Sequence, residues 1–270
     1  MRWPAGALLV LTVGCAPGSA VTERDRVVPD PTPPPAAAVV DYQLGGAYEP
    51  ADEVQIVSRD RTDDSIDGLY SICYVNAFQT QPDAGTWWVT HHDDLLLRDD
   101  AGELVEDEGW PGEYLFDISV EQKRYELAAI MGDWFAQCAA DGFDAVEPDN
   151  LDSFTRSGGL LDQADAEAFA AILVADAHAL DLAIGQKNTA EIDGAELGFD
   201  FAVAEECAVY DECGDYTTMY GGHVIEIEYT DNGRDAYASA CAEAAGKRSI
   251  LLRDRDVVPA GDPDYVYDHC

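Results

Sequence analysis

Clusters of charged residues follow several short apolar runs, and these clusters are the part of the sequence best suited to chemistry. The runs at 143–147, 182–186, 199–204, 224–229 and 249–252 each end in polar side chains or lead directly into them. Charged groups placed at several predicted strand ends are costly for packing, so we interpret them as candidates for function. The carboxylates are Glu147, Asp149, Asp152, Glu205, Glu206, Glu226, Glu228 and Asp254, with Lys187 as the main cation.

Paired carboxylates are suited to general acid–base chemistry, in which one protonates a leaving oxygen and the other attacks or activates water. The sequence has no Gly-x-Ser-x-Gly elbow, no His-Glu-x-x-His and no phosphate-binding loop, which excludes the common serine hydrolases, zincins and P-loop enzymes. His91-His92-Asp93-Asp94 offers adjacent ligands on a loop, a weak pattern for a metal. We expect neither a metal nor another cofactor.

The elements that position these residues alternate between short β-branched or aromatic runs and longer alanine-rich stretches. Helices are predicted at 123–141, 163–180 and 234–245, and strands at 54–58, 70–76, 114–118, 143–147, 182–186, 199–204, 224–229 and 249–252, with a weaker candidate at 42–44. About eight such units predict a parallel (β/α)8 TIM-type barrel with one accessory strand. An open doubly wound sheet is the alternative, although no Gly-x-Gly-x-x-Gly follows an early strand. In a barrel, the clusters would meet at the carboxyl ends of the strands.

The N-terminus predicts export. Arg2, an apolar stretch at 7–13 and the string Thr12-Val13-Gly14-Cys15 indicate a signal peptide with a lipobox over residues 1–15. Cys15 would then carry a lipid, which would be the protein's membrane contact; ordinary cleavage near Ala20 is the alternative. A Pro-rich linker is expected at 16–40 and the barrel at 41–270. The protein is therefore predicted to be a bacterial cell-surface lipoprotein or a secreted protein.

Six cysteines remain once Cys15 is set aside, an even number that predicts disulfides in an exported protein. Fifteen pairings are possible for six cysteines. The set we favour from spacing pairs Cys207 with Cys213, Cys241 with Cys270, and Cys73 with Cys138.

The chain is strongly acidic, with 15 basic and 54 acidic residues and a net charge of −39. Nucleic acid is excluded as a partner because phosphate binding needs basic clusters. The acidity indicates either a well-solvated exterior or attraction of a cationic substrate. We expect a monomer.

Several polar motifs occur in an order that resembles glycoside hydrolase family 114, the endo-α-1,4-polygalactosaminidase family. They run from about Asp41 to Tyr229: Tyr42-Gln-Leu-Gly45, Cys73-Tyr-Val-Asn76, Trp110-Pro-Gly-Glu113 with Leu115-Phe-Asp-Ile118, Val146-Glu-Pro-Asp-Asn150-Leu-Asp152, Gln186-Lys-Asn188, Glu205-Glu-Cys207 with Glu212-Cys213, and Glu228-Tyr229. The sequence departs from the family at Ala204, Gln186 and Asp41, where Asn, Leu and Trp are usual. These departures concern sugar specificity more than reaction type.

The resemblance implies a (β/α)8 barrel acting on galactosamine-type polymers, with catalytic carboxylates after the fifth strand and at the end of the seventh. These positions correspond to Asp149 and Glu205, a choice over Glu147 and Glu206 that the residues alone do not make. We favour Glu205 as general acid and Asp149 as nucleophile or base, with the reverse left open. Expected substrate-binding residues are Tyr42, Asp117, Glu147, Asn150, Lys187, Asn188 and Tyr229.

The expected activity is endo-hydrolysis of an α-1,4-linked galactosamine or N-acetylgalactosamine polysaccharide. A carbohydrate-binding barrel that does not cleave, and a barrel hydrolase for another α-linked glycan, are the alternatives. Lys187 could equally be a structural counter-ion, and Asp117 could make a structural bond to a neighbouring loop.

Overall fold

Eight parallel strands, hydrogen-bonded in chain order, form the centre of the fold. The computed structural model describes Met1 and residues 31–270. The strands are β1 Val40–Tyr42, β2 Ile56–Asp60, β3 Tyr70–Asn76, β4 Ala145–Asp149, β5 Ala183–Lys187, β6 Phe201–Glu205, β7 Val224–Tyr229 and β8 Ser249–Arg253. A short β9, Tyr267–His269, runs antiparallel to β8.

The two edges of the sheet meet. Arg253 of β8 donates to the carbonyl oxygen of Tyr42 in β1, and the Tyr267 hydroxyl donates to the carbonyl oxygen of Val40 over 2.9 Å. The predicted (β/α)8 barrel is therefore confirmed, and β9 is an additional strand that the sequence did not predict.

Helices follow β3 to β7 and cover the outside of the barrel. Their bounds are α1 Gly85–His91, α2 Glu121–Ala140, α3 Ser153–Arg156, α4 Gln163–Ala179, α5 Gly194–Leu197, α6 Cys207–Tyr210, α7 Cys213–Tyr220 and α8 Asp235–Ala244. A capping box starts α4, in which Asp162 and Asp165 each accept a bond from the other's backbone N–H. Within residues 31–270, no helix combines the length and apolarity needed to cross a membrane.

Two of the nine predicted strands, at 114–118 and 42–44, have other places in the fold than expected. Residues 114–118 make isolated antiparallel bridges with Gln79, Leu96 and Glu106 inside the long segment between β3 and α2. The apolar Leu115 and Phe116 are buried there. The strand-like pattern therefore reflects packing of a segment that lies outside the barrel. The weak candidate near 42–44 is instead the first barrel strand, shifted to Val40–Tyr42. Asp149 and Glu205 consequently end the fourth and sixth strands, rather than following the fifth and ending the seventh.

The barrel interior is filled by residues from alternate positions of the strands, as the two-residue period of a strand requires. In β7, Ile225, Ile227 and Tyr229 belong to the interior cluster, and Glu226 and Glu228 occupy the alternate positions.

Gly185 of β5 leaves the space into which Phe201 of the neighbouring β6 packs. A Cβ at position 185 would lie 2.7 Å from the Phe201 ring, a contact that no ordinary packing allows. The interior therefore depends on this glycine.

Three disulfides join the six cysteines in the favoured pairs: Cys73 with Cys138, Cys207 with Cys213, and Cys241 with Cys270. Such cross-links form in oxidising compartments outside the cytosol and are typical of exported proteins. The predicted signal peptide and the predicted lipid at Cys15 lie outside the described residues.

The start of the described chain packs on the barrel at the face where the strands begin. The Tyr70 hydroxyl, at the first residue of β3, donates to the Thr32 carbonyl over 2.7 Å. His223, directly before β7, lies 2.8 Å through Nδ1 from the Pro34 carbonyl oxygen. Pro34 and Ala38 are buried, so this part of the predicted linker lies against the protein.

Candidate active site

Three neighbouring strands end in charged side chains, and the chain turns sharply after each of them. The last residues of β4, β5 and β6 are Asp149, Lys187 and Glu205. Each is followed by a residue with a left-handed backbone: Asn150 at φ 69°, Asn188 at φ 50° and Glu206 at φ 60°. Few residues adopt this conformation without a reason, and it concentrates at functional sites. The turns stop each strand at its charged residue, on the carboxyl face of the barrel.

The Lys187 ammonium lies at the centre of this face. Its Nζ is 3.0 Å from Glu147 Oε1, 3.4 Å from Asp149 Oδ1 and 3.3 Å from Glu205 Oε2. Because both oxygens contact the same nitrogen, Asp149 Oδ1 and Glu205 Oε2 lie within about 7 Å of each other, close enough for both to reach one glycosidic bond. One cation thus holds three carboxylates together.

Glu147 forms the floor of the cluster. Its side chain is fully buried, and it accepts hydrogen bonds from the Tyr42 hydroxyl at 2.6 Å and Ser58 Oγ at 2.9 Å. Lys187 also donates to the Tyr42 oxygen over 3.0 Å. Both oxygens of this buried carboxylate are satisfied, so it acts as a fixed counter-charge.

Asp149 and Glu205 are each oriented by three donors. Asp149 accepts from the Tyr74 hydroxyl at 2.6 Å and from the Asn150 backbone N–H at 2.7 Å, in addition to Lys187. Their side chains are 17% and 23% exposed, whereas those of Glu147 and Lys187 are 0% and 2% exposed. Within the cluster, the reachable carboxylates are therefore Asp149 and Glu205.

The donors to Glu205 come from strands on either side of β6. Asn188 Nδ2 donates to Oε2 over 2.9 Å, and the Tyr229 hydroxyl donates to Oε1. Asn188 also fixes the strand end, because its Oδ1 accepts from the Glu205 backbone N–H at 2.8 Å. The carboxylate is held in one orientation before any substrate arrives.

Burial and charge compete in setting the protonation of this cluster. Burial works to raise the pKa of Glu205, but Lys187, Tyr229 and Asn188 together outweigh it, and the pKa lies below its ordinary value. For Glu147, burial prevails over Lys187 and raises the pKa. Burial alone would lower the pKa of Lys187, yet the surrounding carboxylates raise it well above normal, so the ammonium stays charged.

An open cleft of about 880 Å³ lies above the cluster. Among the cleft-lining residues are nine acidic and three basic ones, and the three basic residues, Arg156, Lys187 and Arg255, are all in salt bridges. Trp110 lines the cleft with half of its surface exposed. The cleft therefore combines excess negative charge with an aromatic face.

Of the residues predicted to bind substrate, Tyr42, Asn150, Lys187, Asn188 and Tyr229 line the cleft, and Glu147 lies directly beneath it. Asn150 is held by Asn76 and Arg156 through its side chain.

Asp117 lies elsewhere. It pairs with Lys123, in the first turn of α2, at 2.6 Å and accepts from the Ser119 hydroxyl just before the helix, and it is not a cleft residue. Its bonds are local to the start of α2 rather than to a neighbouring loop.

Sequence reasoning missed Tyr74 and Glu113. Tyr74 holds Asp149, and Glu113 accepts bonds from Asn76 and Gln79 at the rim. Tyr74 and Asn76 occupy alternate positions of β3 in step with the interior residue Ile72. The two-residue period of β3 could therefore have identified Tyr74 and Asn76, whereas Glu113 lies outside the strands and has no such signal.

Cys207, Cys213 and Glu226 lie close enough together to suggest metal ligands. The two sulfur atoms are joined in a disulfide, and thiolates are what a metal would need from cysteine. This group is therefore not a metal centre.

A family model for glycoside-hydrolase family GH114 matches residues 22–270. The chain belongs to glycoside hydrolase family 114. The resemblance inferred from the motifs is confirmed, and this family 114 protein is a glycoside hydrolase. No curated protein matches the chain.

Solved structures agree with this membership. The crystal structure of Aspergillus fumigatus Ega3 in complex with galactosamine is 25% identical to this family 114 protein, with a TM-score of 0.68 over 87% of this chain and 96% of that one. The glycoside hydrolase domain of PelA from Pseudomonas aeruginosa is 14% identical, with a TM-score of 0.54 over 84% of this chain and 97% of that one. The second likeness is one of fold.

Proposed function

We propose that this protein hydrolyses internal linkages of an α-1,4-linked galactosamine or N-acetylgalactosamine polysaccharide through Asp149 and Glu205. The observation that carries the proposal is the sharing of Lys187 Nζ by these two carboxylates, at 3.4 and 3.3 Å, directly under an open cleft. Two carboxyl groups flanking one bond are the common machinery of glycoside hydrolysis.

The neighbouring acids are less suited to the reaction. Glu147 is fully buried and faces Tyr42 and Ser58 rather than the cleft. Glu206 is paired with Arg255 at 2.6 Å and also accepts from Asn232. Asp149 and Glu205 are accessible and held by their donors in one orientation, which favours them as the groups that meet substrate.

The charge of the site supports an amino sugar substrate. Glycoside cleavage passes through a transition state with positive charge on the sugar ring, which fixed carboxylates stabilise. A protonated galactosamine adds a second positive charge, and the acidic lining attracts it. The galactosamine bound to Ega3, a similar protein, supports the same substrate class.

The shape of the cleft supports a polymer as substrate. Residues from the loops after β1, β3, β4, β6 and β8 line it, so several sugar units can contact the protein around the cleaved bond. The preferred assignment makes Glu205 the general acid and Asp149 the nucleophile or base. Because the pKa of Glu205 is lowered in the free protein, this assignment requires that bound substrate raise that pKa so that the carboxyl is protonated.

The test uses Asp149→Asn and Glu205→Gln on purified α-1,4-galactosamine polymers, with release of reducing ends as the readout. Each substitution keeps the shape of the side chain but removes its charge or its proton, and we expect activity to fall by about 10³-fold or more with folding unchanged by circular dichroism. Asp211→Asn is the matched control, because Asp211 is an exposed residue outside the cleft.

Full activity in either variant would remove that residue from the mechanism. Polymer binding by the native protein without new reducing ends would support a binding barrel instead, and cleavage of a neutral galactan in preference would support another glycan. If Glu205 is the acid, Glu205→Gln retains more activity than Asp149→Asn on an aryl glycoside whose leaving group needs no proton.

A further inference from the structure

A second pocket of about 260 Å³ opens beside the cleft and is walled by three tryptophans. Trp87 and Trp88 come from α1 and Trp134 comes from α2, and their rings lie close together. Trp88 is buried, whereas Trp87 is 42% exposed. An exposed tryptophan on the wall of a pocket offers a flat apolar face to a ligand.

Arg61, directly after β2, supplies the polar group of this pocket. Its guanidinium stacks over the Trp134 ring at 4.1 Å, and its Nε is buried without a hydrogen-bond acceptor among residues 31–270. Nε is closed to solvent, and within residues 31–270 the guanidinium makes no hydrogen bond or salt bridge. A ligand oxygen in the pocket can therefore accept from the terminal nitrogens of Arg61 without displacing a protein partner.

The pocket is continuous with the catalytic cleft. Asn76 and Gln81 line both spaces, and Asn76 is the partner of Asp149 in the ladder between β3 and β4. Adjacent strands are about 4.8 Å apart, so the pocket lies beside the catalytic centre. A polymer in the cleft can place a further unit there.

We propose that this pocket, formed by Arg61, Trp87, Trp88 and Trp134, binds one N-acetylated hexosamine unit of the polysaccharide cleaved in the neighbouring cleft. The inference rests on the proposed function and adds a rule of selectivity to it. The acetamide carbonyl accepts from the guanidinium, and the methyl group and ring face pack on indole. A free amine is disfavoured at this position, because its ammonium would lie against the charge of Arg61.

The two spaces therefore select different units of one chain. The cleft, with its excess of acidic residues, favours units that carry a positive charge, whereas the tryptophan pocket favours a neutral, acetylated unit. The preferred substrate is a partially acetylated polymer in which the two kinds of unit occur near each other. Because the pocket contacts a unit that does not react, its contribution falls on KM rather than on kcat.

The test compares Trp87→Ala and Arg61→Met with the native protein on long galactosamine oligosaccharides, either partially acetylated or fully deacetylated. Methionine keeps an apolar stem against Trp134 but cannot donate. We expect KM for the partially acetylated substrate to rise on the order of tenfold in each variant, with kcat unchanged. On the fully deacetylated substrate both variants should match the native protein. Tyr125→Ala, at an exposed aromatic residue on α2 outside both spaces, is the control.

Binding is measured in parallel by calorimetry, with Asp149→Asn as the background for each variant. Loss of affinity for the acetylated oligosaccharide alone supports the pocket, even if the native protein proves not to cleave it. Equal losses on both substrates, or none on either, overturn the proposal. Binding without any cleavage by the native protein contradicts the proposed function and leaves the pocket supported.

Discussion

Lys187 occupies a position that few lysines have, buried beneath a cleft with three carboxylates around its ammonium. Removing a charge from water is costly, and a buried ion pair is retained when its partners and hydrogen bonds are complete. Here the lysine compensates Glu147, which is fully buried. The same ammonium sets the distance between Asp149 and Glu205, so stability and catalysis depend on one side chain.

Lys187→Met should therefore destabilise the fold and abolish activity. Methionine is similar in length but leaves Glu147 buried without its counter-charge, and we expect the free energy of unfolding to fall by about 3–5 kcal/mol. Urea unfolding at neutral pH measures this. Lys123→Met is the control, since its partly exposed pair with Asp117 should cost no more than about 1 kcal/mol. Equal losses in the two variants would show that Lys187 is an ordinary ion-pair partner.

At this scale the sequence predicted the kinds of group in the site better than their contacts. Polar residues after apolar runs pointed to Glu147, Asp149, Lys187 and Glu205, all of which the barrel brings together. The structure does not bring Asp117 to this cluster, because residues 114–118 look like a strand but lie in the segment outside the barrel before α2. Contacts across the barrel, such as that of Tyr74 with Asp149, depend on the register between strands, and no local pattern contains it.

At the scale of elements, β7 has an unusual outward face. Glu226 and Glu228 alternate with the interior residues and are buried between the strand and its covering helices. Arg248 pairs with Glu226, and the Ala208 backbone N–H donates to Glu228 over 3.0 Å. Glu226 Oε1 and Glu228 Oε2 find no donor among residues 31–270, so a proton on Glu228 can bridge the two carboxyl groups. Burial raises the pKa of Glu228 to about 7, with Glu226 adding to the rise.

This pKa predicts a loss of stability as pH rises. The unfolded chain releases the Glu228 proton near pH 4.3, whereas the folded protein keeps it until about pH 7. Between these values the unfolded state binds fewer protons, so the free energy of unfolding declines and then levels off. In Glu228→Gln no group ionises at position 228. We expect the free energy of unfolding to be higher than that of the native protein by roughly 1–3 kcal/mol at pH 8, with little difference at pH 4. Urea unfolding at the two pH values checks this.

Glu226→Gln is the matched variant, because it breaks the pair with Arg248 and should destabilise the protein at both pH values. If Glu228→Gln were as destabilising at pH 8 as Glu226→Gln, the carboxyl of Glu228 would have to be ionised in the folded state.

The order of elements was largely readable from the sequence. Strands at 70–76 and 224–229 coincide with β3 and β7, and the three predicted helices correspond to α2, α4 and α8 within two residues at each end. The first strand has a weak sequence signal because β1 is only three residues long and contains Asp41. β9 was missed because its residues are half-exposed and carry no apolar alternation. Both depend on partners that are distant in sequence.

At the scale of the whole molecule, the net charge of −39 and the acidic cleft both attract a cationic substrate. A field of one sign concentrates a substrate of the opposite sign, and salt screens this effect over about 10 Å at 0.1 M. The solvated exterior and the attraction of substrate are compatible explanations of this composition. The contribution of substrate attraction can be measured through its dependence on salt.

Raising the salt concentration should weaken the reaction on a cationic polymer. We expect kcat/KM on fully deacetylated galactosamine polymer to fall about tenfold between 0.02 and 0.5 M salt, because screening removes the long-range attraction between the acidic protein and the cationic polymer. A fully acetylated polymer or a neutral aryl glycoside serves as the comparison and should change little. The same decline on charged and neutral substrates would point to an effect of salt on the protein itself.

The contacts of Thr32 and Pro34 with Tyr70 and His223 bring the polypeptide to the end of the barrel opposite the catalytic pair. Residue 31 therefore lies behind the molecule, and the opening points away from it. A surface that held the protein at residue 31 would face the closed end of the barrel and leave the mouth open to a long polymer on the other side.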